Sequence, residues 1–149
     1  MSLIQWFFRL MTLQPHFVVG SENEPYLLRW WMIPRNSFFN VYLHKFLRDD
    51  IDRALHDHPW TSLSLVLRGG YYEITDKGKR WYGPASLIFR SATHRHRIVL
   101  PKPGRPAWTL FMTGRKRREW GFWCPQGFVP WRDFVAADDA GRVGKGCAQ

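Results

Sequence analysis

Cysteine is scarce in this chain: Cys124 and Cys147 are the two among 149 residues, no Cys-x-x-Cys pair exists, and no disulfide framework is implied. A domain of this length buries enough apolar surface to stand without cross-links, so a cytoplasmic location is the expectation. Cys124, behind Trp123 in an aromatic stretch and with no histidine near it in sequence, is expected to be a small buried apolar residue and not a nucleophile. Long apolar runs are lacking too, which excludes a helical membrane span. There is no basic leader with a small-residue cleavage site. No phosphate-cradling glycine loop or serine elbow is present, and no repeat or low-complexity tract divides the chain.

Negative charge is the other shortage. Twelve acidic residues face 22 basic ones, for a formal net charge of +10, which would attract polyanions. The run Arg115-Lys116-Arg117-Arg118 lies beside Trp120, Phe122 and Trp123, a mixture that can bind single-stranded nucleic acid. The nine tryptophans, however, are spread from Trp6 to Trp131 and line no single platform. A basic run between two apolar strands reads better as a solvated turn, so nucleic acid is the minor alternative among partners.

What the chain does have is many short strand patterns divided by turn residues. Strands are predicted near 26–33, 40–47, 54–58, 62–67, 71–75, 80–82, 85–90, 96–100, 107–112 and 119–123. Between them lie Pro34-Arg35-Asn36-Ser37, Arg48-Asp49-Asp50, Gly69-Gly70, Asp76-Lys77-Gly78, Gly83-Pro84 and Pro101 to Pro106. Leu63, Leu65 and Leu67 alternate with Ser62, Ser64 and Val66, the pattern of a strand with one face in a core. Helix is predicted only at the start, where Ile4, Phe7, Phe8 and Met11 share one face. That face is expected to dock on the body, the alternative being attachment to a bilayer surface. The organisation expected is one all-β domain over 1–137, a sandwich or barrel, with a polar tail over 138–149 that frays.

Five of the six histidines, His44, His56, His58, His94 and His96, fall in the central part of the chain. His56-Asp57-His58 is a His-x-His on a strand: alternate side chains share a face, roughly 6.5 to 7 Å apart at Cα, which suits two imidazoles closing on one ion. A second pair, His94-Arg95-His96, follows, and a barrel can bring two such strands together. Asp57 has the opposite parity and is expected to form a salt bridge or cap a turn. His44, on a strand face with Tyr42 and Phe46, is expected in the core or behind the ligands. Tyr72 and Glu73 follow the glycine turn and are candidates to line the pocket. Glu73 is an alternative carboxylate ligand, ranked behind a solvent-facing strand residue.

At these residues the sequence resembles the cupin superfamily over roughly Asn40 to Met112. His56 and His58 match the histidines of its first motif, and Gly69 or Gly70 the closing glycine. Gly83 and His96 match the outer positions of its second motif, while Ser91 and Thr93 stand where proline and glycine are usual. More narrowly, Tyr42 through Phe46, His56 to Trp60, Arg68-Gly69-Gly70-Tyr71 and Trp120 to Trp123 are similar to small bacterial and phage cupins. The resemblance implies a double-stranded β-helix barrel, a homodimer, and a mononuclear metal site. Its usual acidic ligand is missing, since Ser62 and Leu63 stand there, so the set implied is His56, His58 and His96, with His94 the alternative third ligand.

A three-histidine site is similar to that of thiol dioxygenases and implies a divalent ion, iron(II) first, with manganese, nickel or zinc as alternatives. Neutral ligands leave the ion its full charge and favour an anionic small-molecule substrate. Arg90, which shares strand parity with His94 and His96, is the first choice of anchor for its carboxylate. The leading expectation is oxygen-dependent oxidation of a small acidic molecule. A metal-dependent isomerase or decarboxylase and a non-enzymatic ligand-binding or nucleic-acid-binding module are the rivals.

Overall fold

The computed structural model of the chain describes residues 1–20, 23–50, 54–139 and 142–148. Its first element is helix α1 (Leu3–Met11), opened by a capping box in which Ser2 accepts from the Gln5 amide and Gln5 reaches back to the Ser2 amide. Among the described residues twelve strands follow: β1 (Phe17–Gly20), β2 (Pro25–Trp31), β3 (Asn40–Phe46), β4 (Leu55–His56), β5 (Ser62–Arg68), β6 (Tyr71–Thr75), β7 (Gly78–Tyr82), β8 (Leu87–Arg90), β9 (Arg97–Val99), β10 (Ala107–Thr113), β11 (Gly121–Cys124) and β12 (Gly127–Pro130). One short helix, α2 (Trp131–Phe134), comes last.

Every pairing is antiparallel, in three sheets ordered β1-β2-β3-β10-β5-β8, β12-β11-β4 and β7-β6-β9. The ten strands predicted from the sequence all occur. β1 and β12 were not foreseen, being four residues each with glycine or proline at their ends.

The interior is polar to an unusual degree. On β5 the buried face is Ser62, Ser64 and Val66, while Leu67 is exposed; on β8 Arg90 is buried and Phe89 faces out. Asn40, His44, Glu73, His96, Thr109 and Thr113 are buried as well. Buried polar groups persist where they satisfy one another or serve a site, and this face is where the histidines lie. Leu27, Phe46, Val66, Tyr71, Ile88, Ile98, Leu100 and Ala107 form an apolar cluster.

One expectation fails here. The apolar face Ile4, Phe7, Phe8 and Met11 does not dock: α1 has no buried residue, and it touches the body through Trp6, whose Nε1 donates to the Trp31 carbonyl at 2.8 Å. The described part of the tail is linked to the body. Cys147 forms a disulfide with Cys124, Val143 bridges Val135, and the amides of Gly144 and Gly146 both donate to the Phe134 carbonyl. Cys124 is therefore buried as expected but paired, in a second cluster with Phe122, Val129 and Phe134. Among the described residues no helix is long and apolar enough to cross a membrane.

Candidate metal centre

β4 is pinned between two partners. Its His56 lies opposite Phe122 of β11, and on the other side His56 and His96 exchange both backbone hydrogen bonds at 2.9 Å. That directly opposed pair sets the two imidazoles on one face, with ring centroids 4.9 Å apart. His58, two residues on, returns to the same face, 5.1 Å from His56 and 5.2 Å from His96. Asp57 points the other way. Fully buried, its carboxylate accepts from the Gly121 amide and Trp123 Nε1, both at 3.1 Å, and from the Arg118 guanidinium. The intervening residue thus fixes the pitch of the two histidines.

The donor atoms of His56, His58 and His96 lie within 4.8 Å of one another, and His58 Nε2 stands 3.0 Å from His96 Nε2. Two nitrogens each about 2.1 Å from one ion and about 90° apart would be separated by about 3.0 Å, so the spacing fits a shared metal. Behind His96, Glu73 Oε1 accepts from Nδ1 at 2.6 Å. This holds the proton on Nδ1, leaves the Nε2 lone pair facing His58, and is the carboxylate–histidine arrangement that orients metal ligands. Behind His56, Asp50 brings Oδ2 to 3.8 Å from Nδ1 while accepting from the Ile98 amide and the Tyr26 hydroxyl.

Electrostatics keep the His58 and His96 rings neutral. Burial, reinforced by Arg90 and His56 but opposed by the Glu73 hydrogen bond, lowers His96 to about 3. Burial, then the neighbouring His56 and His96, holds His58 well below its ordinary value. For Glu73, burial alone would raise the carboxyl, yet hydrogen bonds from His94 and His96 and the charge of Arg90 outweigh it and hold it far below the usual range. Neutral imidazole is the form that binds metal.

Glu73 is therefore not the solvent-facing residue expected. It is 3 % exposed because β6 turns Tyr71 and Glu73 inward and Tyr72 outward. Tyr72, expected at the pocket, packs on Trp81 and under Lys79 on the outer surface, and Tyr71 takes the inner place. His94 stands apart from the three-imidazole group, with Nε2 3.4 Å from Glu73 Oε1. Glu73, His94 and His96 form a second group that could hold a metal, although Arg90 Nε also donates to Glu73 Oε1 at 2.6 Å. His44 faces the interior, stacked on Phe111 at 5.0 Å, and accepts from Arg29 Nε at 2.8 Å.

A cavity of about 440 Å³ opens in front of the imidazoles, lined among others by Arg29, His44, Trp60, Arg90, Phe111 and Trp120. Arg90 points inward as parity predicts, but three of its donors go to protein groups: Glu73, Ser64 Oγ at 2.9 Å and Tyr71 OH at 3.0 Å. Arg29 and Asp50 escaped notice in the sequence. The visible signal for Arg29 was a lone charge within the apolar strand Tyr26-Leu27-Leu28-Arg29-Trp30-Trp31.

No protein-family model and no curated protein matches the sequence. Solved structures do match in shape. An RmlC-like cupin from Ralstonia eutropha aligns over 78% of this chain and 72% of its own, with a TM-score of 0.56 at 12% identity. The polyketide cyclase RemF from Streptomyces resistomycificus aligns over 69% of this chain and 72% of its own, at 0.56 and 19%. The iron(II) form of HppE aligns over 65% of this chain and 54% of its own, at 0.55 and 16%. The chain thus has the cupin fold, an antiparallel β-barrel with a short N-terminal helix. Its histidine groups are able to hold a metal ion.

Proposed function

We propose that the protein is a mononuclear metal enzyme, with His56, His58 and His96 as ligands, that oxidises a small acidic organic molecule with dioxygen. The convergence of three imidazoles on one point at the wall of a cavity is the observation that carries this reading. When bound there, a divalent ion, iron(II) by preference as in the structural neighbour HppE, would supply a redox-active Lewis acid with coordination positions to spare.

The chain's own residues prepare that site in three ways. Glu73 locks the His96 tautomer and, through the same oxygen, answers the charge of Arg90. Phe111, Trp60 and Trp120 wall the cavity and limit water. Arg29, beside His44 in the cavity wall, is the cation assigned to the substrate. Its guanidinium is buried, lowered to about 10 chiefly by that burial, and pairs with no carboxylate among the described residues. His44 holds its Nε, which leaves the remaining N–H groups for a carboxylate. Arg90, the first choice from sequence, is already neutralised, so we assign the anchor to Arg29.

The test is elemental analysis of protein purified without an affinity tag, followed by oxygen-electrode assays on a panel of small carboxylic acids. Stoichiometric iron and oxygen uptake that His56→Ala removes are the expected results. Turnover that persists without oxygen would instead favour an isomerase or decarboxylase, and wild-type protein that binds no metal would overturn the reading.

A further inference from the structure

We propose that α1 and the basic loops beside it form a surface that binds anionic lipid bilayers. At about 100° per residue, Leu3, Ile4, Phe7, Phe8 and Met11 occupy one arc of about 140° on α1, and all five are exposed, from 56% for Phe7 to 82% for Ile4. The arc next to it, Trp6 and Leu10, is the half-buried side of the helix, anchored by the Trp6 bond to Trp31. Only Gln5 and Arg9 are polar. A helix held by one apolar arc while it presents another to solvent is built for two apolar phases, the barrel and something outside it.

Charge says what lies outside. No Asp or Glu occurs from Met1 to Ser21 or from Pro25 to Arg48. Arg9 lies on the helix, and the Arg35 guanidinium sits 5.2 Å over Trp31, the residue whose carbonyl anchors Trp6. The loop that carries Arg35 also exposes Phe38 and Phe39, and Arg115 stands 5.8 Å from the Phe38 ring with Lys116 and Arg117 exposed beside it. Strand register places these loops together: Trp31 pairs with Tyr42, and Asn40 with Thr113, at the same end of the large sheet.

Three kinds of partner can be weighed against that surface. A nucleic acid would satisfy the cations and leave five apolar side chains wet. A second copy would cover the side chains but oppose one +10 chain with another. An anionic bilayer satisfies both at once, burying the helix arc at the acyl boundary while phosphate headgroups meet the arginines.

The experiment is flotation of the full chain with phosphatidylcholine vesicles containing 30% phosphatidylglycerol, against vesicles of phosphatidylcholine alone, at about 50 and about 500 mM salt. Binding is expected to fall about tenfold without the anionic lipid and again at high salt. Ile4→Glu, Phe8→Glu and the triple change Arg115→Glu, Lys116→Glu, Arg117→Glu should each lose about tenfold with an unchanged circular dichroism spectrum. The wild-type lipid and salt series stands without variants, should one misfold. Absence of binding, equal binding to neutral vesicles, binding only to single-stranded DNA, or light scattering that gives a dimer which Ile4→Glu converts to monomer would each overturn the proposal.

Discussion

Glu73 Oε1 accepts from His96 Nδ1 and from Arg90 Nε, each at 2.6 Å, so a single carboxylate oxygen supports an imidazole of the candidate metal group and neutralises the interior's Arg90. Glu73→Gln divides these duties. Metal affinity is expected to drop about 10- to 100-fold, the usual cost of losing a partner behind a ligand. Stability of the metal-free protein should fall by about 3 kcal/mol or more because a buried guanidinium is left uncompensated. Metal titration and urea denaturation read the two separately. A variant that keeps wild-type metal affinity would show that His96 needs no orienting partner.

The two histidine groups share His96 and differ at His94. Substitution by alanine at His56, His58 or His96 should abolish stoichiometric metal, while His94→Ala should retain it within a fewfold. Retention by His56→Ala with loss in His94→Ala would move the ion to the Glu73 side.

In the metal-free protein, acid should be destabilising from about pH 6.5 downward. His44, His58 and His96 all have folded values below the unfolded one, so the unfolded chain binds more protons in that window and stability falls with pH. Each contributes up to about 1.4 kcal/mol per pH unit, and for His96 the loss continues toward about 3. Glu73, lowered instead of raised, adds loss of the same sign below its ordinary 4.5. His44→Gln keeps an acceptor for Arg29 and should flatten the slope of urea midpoint against pH between 5 and 6.5. An unchanged slope would mean that His44 takes its proton in the folded state.

Cys124 and Cys147 close a loop of 23 residues, and a cross-link of that span is worth about 3 kcal/mol in the chain-entropy picture. Reduction or Cys147→Ser should lower stability by about that amount and expose the last residues to proteolysis. Equal stability with and without reductant would show that the cluster around Phe122 and Phe134 holds the tail unaided.

Parity made His56, His58 and the outward turn of Asp57 legible in the sequence, because no irregularity lies between them. Tyr71, Tyr72 and Glu73 were not legible: they follow Gly69 and Gly70, whose φ values of +75° and +147° reset the face of the next strand. Alternation along β5 was visible, but nothing local revealed that serine, not leucine, faced the interior. That choice is made by Arg90, 26 residues away, which donates to Ser64. The helix posed a similar problem, since periodicity displays apolar arcs without saying which of two meets the barrel.

Asp57 lies between two candidate ligands and is gripped by Arg118, the last member of the basic run. Its neighbours Arg115 to Arg117 are exposed at the surface, so the run is less uniform than its composition suggests: three residues advertise charge, and the fourth is a rivet through the wall of the barrel. Neutralising all four together would confound an outer interaction with damage to the spacing of His56 and His58, and sparing Arg118 keeps those two effects apart.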